Sequence, residues 1–245
     1  MALYLDSASP EDLLQALALG LIRGVTTNPN LEAQQASIPR RGMLFTLCRQ
    51  APGPVFVQLT GADLASREVE AEELLQLDAT LRDSGPDWPQ NVGRKIGLKI
   101  PSTSENLALA ARLVRRHGRY DRNTGRGALV GMTAIFDPAQ VYLACEAGAC
   151  YVLPYVNRAT RLLGDGNALV SQMRQLIDAL RSDVEIIAAS IKSPQEAVAA
   201  TLAGAHHLTL PLAILLSLGE HALSQQAIEE FARVGDVGRR KEGER

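Results

Sequence analysis

The sequence predicts an α/β fold, a parallel (β/α)8 barrel, on three observations. Short apolar runs alternate with longer segments of helical spacing along the chain, and eight such runs occur. Polar residues sit at the ends of nearly all the runs, where a barrel gathers its active site. The length, 245 residues, is typical of one such barrel. A doubly wound open sheet would show the same alternation, but the ring of polar ends favours closure.

Residues 3–5 read as the first strand. Ser9 suits an N-cap, with Pro10 at the first helical position and Glu11 and Asp12 in the first turn. Leu13, Leu14, Leu17 and Leu21 then recur at helical spacing, and Gly20 or Gly24 can end the segment before a second run reaches Val25. Further strands are predicted at 55–57, 96–100, 128–132, 150–153, 184–188 and 207–210. Helices are predicted at 67–81, 104–116, 138–146, 167–180, 194–203 and 212–218. A last amphipathic helix over 224–234 completes one domain, 1–234, and the charged tail 235–245 is expected to be disordered. The connections 82–94 and 118–127 exceed what a minimal β/α unit needs and read as surface loops.

Apolar residues make up 46% and charged residues 21%, a balance that can bury a large core. A net charge of −2 gives no global reason to bind nucleic acid or an acidic membrane, so neither partner is expected. Cys48, Cys145 and Cys150 form no paired motif, which suits a reducing compartment. The N-terminus lacks the pattern of a secretory leader, and no apolar run is long enough to span a bilayer. The expectation is a soluble cytoplasmic metabolic protein.

Read in order, the strand ends carry Asp6, then Thr26-Thr27-Asn28, Gln58, Lys99, Thr133, Tyr155 with Arg158, and Ser190 with Lys192. Only the eighth, Thr209-Leu210-Pro211, looks structural. Lys99 lies in an apolar strand, where burial lowers an amine's pKa and yields the free base that attacks a carbonyl. The alternatives are an ion-paired lysine or one snorkelling from a strand end. Asp6 suits a general acid/base, or a helix cap. Thr26, Thr27 and Asn28 can bond substrate hydroxyls or satisfy a turn before Pro29. Gln58 and Thr133 can orient water or a hydroxyl, and Tyr155 offers a phenol for proton transfer or core packing. Arg158, Ser190 and Lys192 have the chemistry of a phosphate clamp. The four histidines show no metal-ligand spacing, and no nucleotide-type glycine signature occurs.

The motifs Leu3-Tyr4-Leu5-Asp6, Gly24-Val25-Thr26-Thr27-Asn28-Pro29, Lys99-Ile100-Pro101, Pro154-Tyr155-Val156-Asn157-Arg158, Ala188-Ala189-Ser190-Ile191-Lys192 and Leu208-Thr209-Leu210-Pro211 run in order across the chain. In these the sequence resembles the transaldolase family, and most closely its small branch containing fructose-6-phosphate aldolase. The resemblance implies a TIM barrel of class I aldolase type that works without metal or cofactor on a sugar phosphate, as a homo-oligomer. It implies that Lys99 forms the Schiff base, Asp6 is the acid/base, and Thr133 helps hold catalytic water. Thr26 and Asn28 would line the sugar site, and Arg158, Ser190 and Lys192 the phosphate site. Family transaldolases carry glutamate at position 58 and usually phenylalanine at 155, whereas the aldolase branch carries glutamine and tyrosine, as here. Aldolase is therefore favoured, with transaldolase and a non-catalytic sugar-phosphate-binding protein as the other readings. Asn30, Ser102, the segment 32–42 and the two longer loops depart from the family pattern.

Overall fold

The structure, a computed structural model, describes residues 1–82 and 95–243. Along the chain lie β1 (Ala2–Asp6), α1 (Pro10–Ala18), β2 (Ile22–Thr26), α2 (Pro29–Ala33), α3 (Arg40–Gln50), β3 (Val55–Gln58) and α4 (Leu64–Arg82). Next come β4 (Ile96–Pro101), α5 (Ser104–His117), β5 (Val130–Ile135), α6 (Pro138–Glu146), β6 (Tyr151–Pro154), α7 (Val156–Leu163) and α8 (Gly166–Ala179). The chain finishes with β7 (Glu185–Ala188), α9 (Pro194–Leu202), β8 (His207–Leu210), α10 (Leu212–Ser217) and α11 (Ala222–Gly243). The strands pair in parallel in chain order, and β8 pairs back onto β1, so the sheet closes as a (β/α)8 barrel.

The strands alternate between two apolar layers, because successive strand residues face opposite ways. Leu5, Val25, Val57, Leu98, Ile100 and Met132 pack with the helices, in one cluster with Leu13 of α1 and Leu47 of α3. Tyr4, Phe56, Tyr151, Leu153 and Ile187 form a separate cluster inside the barrel. Gly97 makes room for it, since a Cβ there would meet Phe56 at 2.5 Å. Gly131 lies against Leu153 and Phe56 in the same way. Two residues on, the same facing brings Lys99 and Thr133 to the upper end of the interior, as Phe56 does Gln58.

The lower end is closed by polar and aromatic groups. The backbone N–H of Ala2 donates to Nδ1 of His207 at 3.0 Å, which leaves the ring proton on Nε2 to donate to Glu185 at 3.0 Å. Arg122 pairs with Glu185 at 2.7 Å and lies over the Tyr151 ring. Burial pushes the Glu185 carboxyl up, but His207 and Arg122 outweigh it and hold the group at about 2. The 118–127 segment is thus a folded cover, tied by bridges from Arg119 to Ala128 and from Asp121 to Arg126. The other long connection, 82–94, lies outside the described residues apart from Arg82, which ends α4.

Sequence spacing missed α2, α3 and α7. Helix α11 runs from Ala222 to Gly243, beyond the 224–234 expected of the last helix. Arg239, Arg240, Lys241 and Glu242 are strong helix formers that outweigh Gly235 and Gly238. Among the described residues no helix is long and apolar enough to cross a membrane.

Candidate active site

Seven of the eight strand ends meet around a cavity of about 530 Å³, whose walls include Asp6, Asn28, Gln58, Lys99, Tyr155, Arg158, Ser190, Lys192 and Pro211. A larger groove of about 690 Å³ lies on the outer helical face. Its Glu68 and Glu72 are ion-paired with Arg116, so it offers less unpaired chemistry than the barrel mouth.

Lys99 is 2% exposed, and its Nζ donates to the Thr27 carbonyl at 3.0 Å. Burial pushes the amine's pKa down, and the carboxylates of Asp6 and Glu32 offset this only in part. The snorkelling alternative is excluded by that burial. Register places Gln58 of β3 and Gly131 of β5 on either side of Lys99.

Asp6 is held from behind. The hydroxyl of Thr26 donates to its Oδ1 at 2.9 Å, and the Thr209 hydroxyl lies 2.7 Å from that of Thr26. Since Thr26 spends its proton on Asp6, Thr209 donates to Thr26. Thr26, expected to line the sugar site, is fully buried with its hydroxyl committed to Asp6. Asn28 caps α2, its side-chain oxygen accepting from the N–H groups of Asn30 and Leu31, so only its amide nitrogen is left for a ligand in the cavity.

Thr27 Oγ1, Thr133 Oγ1 and Gln58 Oε1 are buried without a hydrogen-bond partner. Each such group costs about 1–3 kcal/mol, and all three belong to strand ends near Lys99. Thr133 precedes a bulge at which β5 shifts register and Ala134 takes φ 55°. Ser190, at the end of β7, has φ 61°. Of the two, Ser190 lines the cavity, and strained backbone there is typical of a functional site.

Tyr155 packs edge-on against Phe136, and the Arg158 guanidinium lies 4.9 Å from its ring centroid. Glu196 of α9 accepts from the Lys192 backbone N–H at 2.8 Å and from Asn157 Nδ2 at 2.7 Å. It thereby staples the Ser190–Lys192 loop to α7, which presents Arg158.

A model of the family described as transaldolase/fructose-6-phosphate aldolase matches residues 3–241. The chain belongs to this family. A relative named probable transaldolase 2, from Bacillus anthracis, is 33% identical over 233 residues, covering 95% of this chain and 96% of the relative. A probable transaldolase from Maridesulfovibrio salexigens is 30% identical over 231 residues, covering 94% and 96%. Among solved structures, a thiamine phosphate pyrophosphorylase from Pyrococcus furiosus superposes with TM-score 0.53 at 12% identity, over 86% of this chain and 85% of that one. An inosine 5' monophosphate dehydrogenase from Legionella pneumophila does so with TM-score 0.53 at 14% identity, over 87% and 58%. At such identities the likeness speaks for the barrel alone.

Within this transaldolase/fructose-6-phosphate aldolase barrel, several supporting residues escaped the sequence reading. Thr209 looked structural because only closure of β8 on β1 brings it to Thr26. Glu196 resembled an ordinary first-turn acid of α9. Arg40, Glu32 and Glu70 form a network beside the cavity that no strand-end pattern reveals.

Proposed function

We propose that this chain is a class I aldolase that cleaves or forms fructose 6-phosphate, with dihydroxyacetone and glyceraldehyde 3-phosphate as the smaller partners. The observation that carries this reading is a single one: Lys99, buried and with lowered proton affinity, in a polar cavity at the barrel mouth. In the cleavage direction its free amine adds to the C2 carbonyl, and loss of water leaves an iminium that acts as electron sink. Asp6 takes the proton of the C4 hydroxyl as the C3–C4 bond breaks, and glyceraldehyde 3-phosphate departs. The remaining enamine gains a proton at C3, and water releases dihydroxyacetone. Tyr155 and Gln58 are assigned to this last stage, and Thr133, with its unused hydroxyl, to holding the water.

Arg158, Ser190 and Lys192 are assigned to the phosphate, and Asn28 to a sugar hydroxyl. Replacing Arg158 with alanine is expected to raise KM for fructose 6-phosphate about 10- to 100-fold, the worth of one charged hydrogen bond. KM for unphosphorylated dihydroxyacetone should stay within twofold in steady-state assays. Thr209→Val is expected to lower kcat about threefold to tenfold at near-constant KM, as Asp6 loses its fixed orientation.

Incubation with fructose 6-phosphate and borohydride, read by peptide mass spectrometry, tests the chemistry directly. A reduced adduct on Lys99, with dihydroxyacetone released in the absence of acceptor, supports the aldolase. The names of the curated relatives favour a second reading, transaldolase, in which dihydroxyacetone stays on Lys99 until an acceptor aldehyde arrives. Turnover that begins only with acceptor would select it. No adduct with either fructose 6-phosphate or dihydroxyacetone would defeat both and favour a binding protein. The same proposal places the enzyme in the cytoplasm, acting on small sugar phosphates rather than on nucleic acid or membranes. Exposed Leu223, Ile228 and Phe231 on α11 support a homo-oligomer.

A further inference from the structure

We propose that Glu32 and Arg40 are positioning residues of the lysine site, a charge pair whose field sets how readily the Lys99 amine is available as free base. Arg40 of α3 makes three contacts: Nε to Glu32 of α2 at 2.7 Å, one terminal nitrogen to Glu70 of α4 at 2.6 Å, and the other to the Gln58 carbonyl at 3.2 Å. Gln58 is the register partner of Lys99, so Arg40 is anchored to the strand end beside the amine. Glu32 lies one helical turn beyond Asn28, its N–H bonded to the Asn28 carbonyl at 3.0 Å, and Asn28 follows the residue whose carbonyl accepts from Lys99.

The Glu32 side chain is 11% exposed, and its Oε1 is buried without a partner while Oε2 holds Arg40. A half-used carboxylate at this depth puts negative charge near Lys99 that favours the ammonium form, and the Arg40 charge paired with it acts in the opposite direction. Burial lowers the pKa of Arg40, but Glu32 and Glu70 outweigh that and keep it firmly charged. Glu70 is separately secured by the N–H groups of Thr60 and Gly61. The other charged or titratable groups around the site are Asp6 of β1, Tyr155, Arg158 of α7 and Lys192 in the loop after β7. Against that fixed background the Glu32–Arg40 pair adjusts the amine. The consequence for catalysis rests on the Schiff-base reading of Lys99, whereas the effect on the amine itself does not.

Competitive labelling with acetic anhydride across pH, read peptide by peptide on the full chain, measures the free-base fraction of Lys99 directly. At a fixed pH below the midpoint, Glu32→Gln is expected to label about threefold faster than the wild type. Arg40→Met, which leaves the carboxylate uncompensated, should label about threefold slower. The double variant should return towards the wild type, and Arg40→Lys should rescue most of the Arg40→Met change. Opposite signs mark an electrostatic role, because loosened packing would expose Lys99 in both variants and speed labelling in both. Superimposed curves, or shifts of the same sign, would overturn the proposal. Borohydride trapping of the wild type with dihydroxyacetone runs in parallel: absence of an adduct would sink the Schiff-base reading while the labelling result stood on its own.

Discussion

Lys99→Met is expected to abolish the borohydride adduct and lower turnover by about 10⁴-fold or more, because the proposed covalent route would lose its nucleophile. The barrel should nevertheless keep its fold. Methionine matches the lysine stem in length, and the hydrogen bond lost is the one to the Thr27 carbonyl. Folding should even become easier. The folded chain binds the Lys99 proton less tightly than the unfolded chain, so the unfolded chain carries more protons between the two pKa values. Stability therefore rises with pH through that window, which ends near the ordinary lysine value of about 10.4, and the penalty is complete below the folded pKa. The variant lacks the penalty. Its denaturation midpoint should match or exceed that of the wild type at neutral pH, with a shallower rise towards alkaline pH. Retention of an adduct elsewhere on the chain, with activity, would mean that the nucleophile has been misassigned.

Asp6→Asn separates forming the imine from breaking the carbon–carbon bond. Asparagine keeps an oxygen to accept from Thr26, so geometry at the strand end survives, but it cannot take a proton. Loss of a general base typically costs 10²–10⁴-fold, and kcat for cleavage is expected to fall by about that much. Imine formation should persist. Asp6 favours the ammonium form of Lys99, so removing its charge leaves more free amine at a given pH. The acid side of the trapping yield should therefore move to lower pH even as single-turnover cleavage slows. A variant that cleaves within tenfold of the wild type would take Asp6 out of the proton-transfer role.

The barrel was legible in sequence because polar side chains interrupt apolar runs mostly at the strand ends, and strand periodicity makes those interruptions conspicuous. Lys99 was legible for the same reason. Helix α3 was not, because Arg40, Arg41, Gly42, Arg49 and Gln50 blur its apolar face of Met43, Leu44, Leu47 and Cys48. Helix α7 was hidden by its place directly after Tyr155, where Asn157 and Arg158 read as strand-end polar residues. Strand β5 runs past the predicted Met132 to Ile135 through a bulge, which apolar pattern alone does not encode. The orientation of Thr26 was hidden for a different reason. Composition shows a hydroxyl at a strand end, but its direction depends on Asp6 and Thr209, the latter 183 residues away in the chain. Such contacts exist only after closure.

The sealed lower end of the barrel leaves the molecule a single entrance. Tyr4, Phe56 and Tyr151 fill the bore, and His207, Glu185 and Arg122 bolt it beneath them. A reactant that meets Lys99 must come and go by the same doorway. On the proposed mechanism, the phosphorylated fragment would have to vacate that doorway before water or a second aldehyde could approach the fragment tethered to Lys99. Traffic is therefore sequential by construction. On that proposal, the choice between releasing the tethered fragment and handing it on would be a race between two newcomers at a shared entrance, whose walls include Arg158, Ser190 and Lys192.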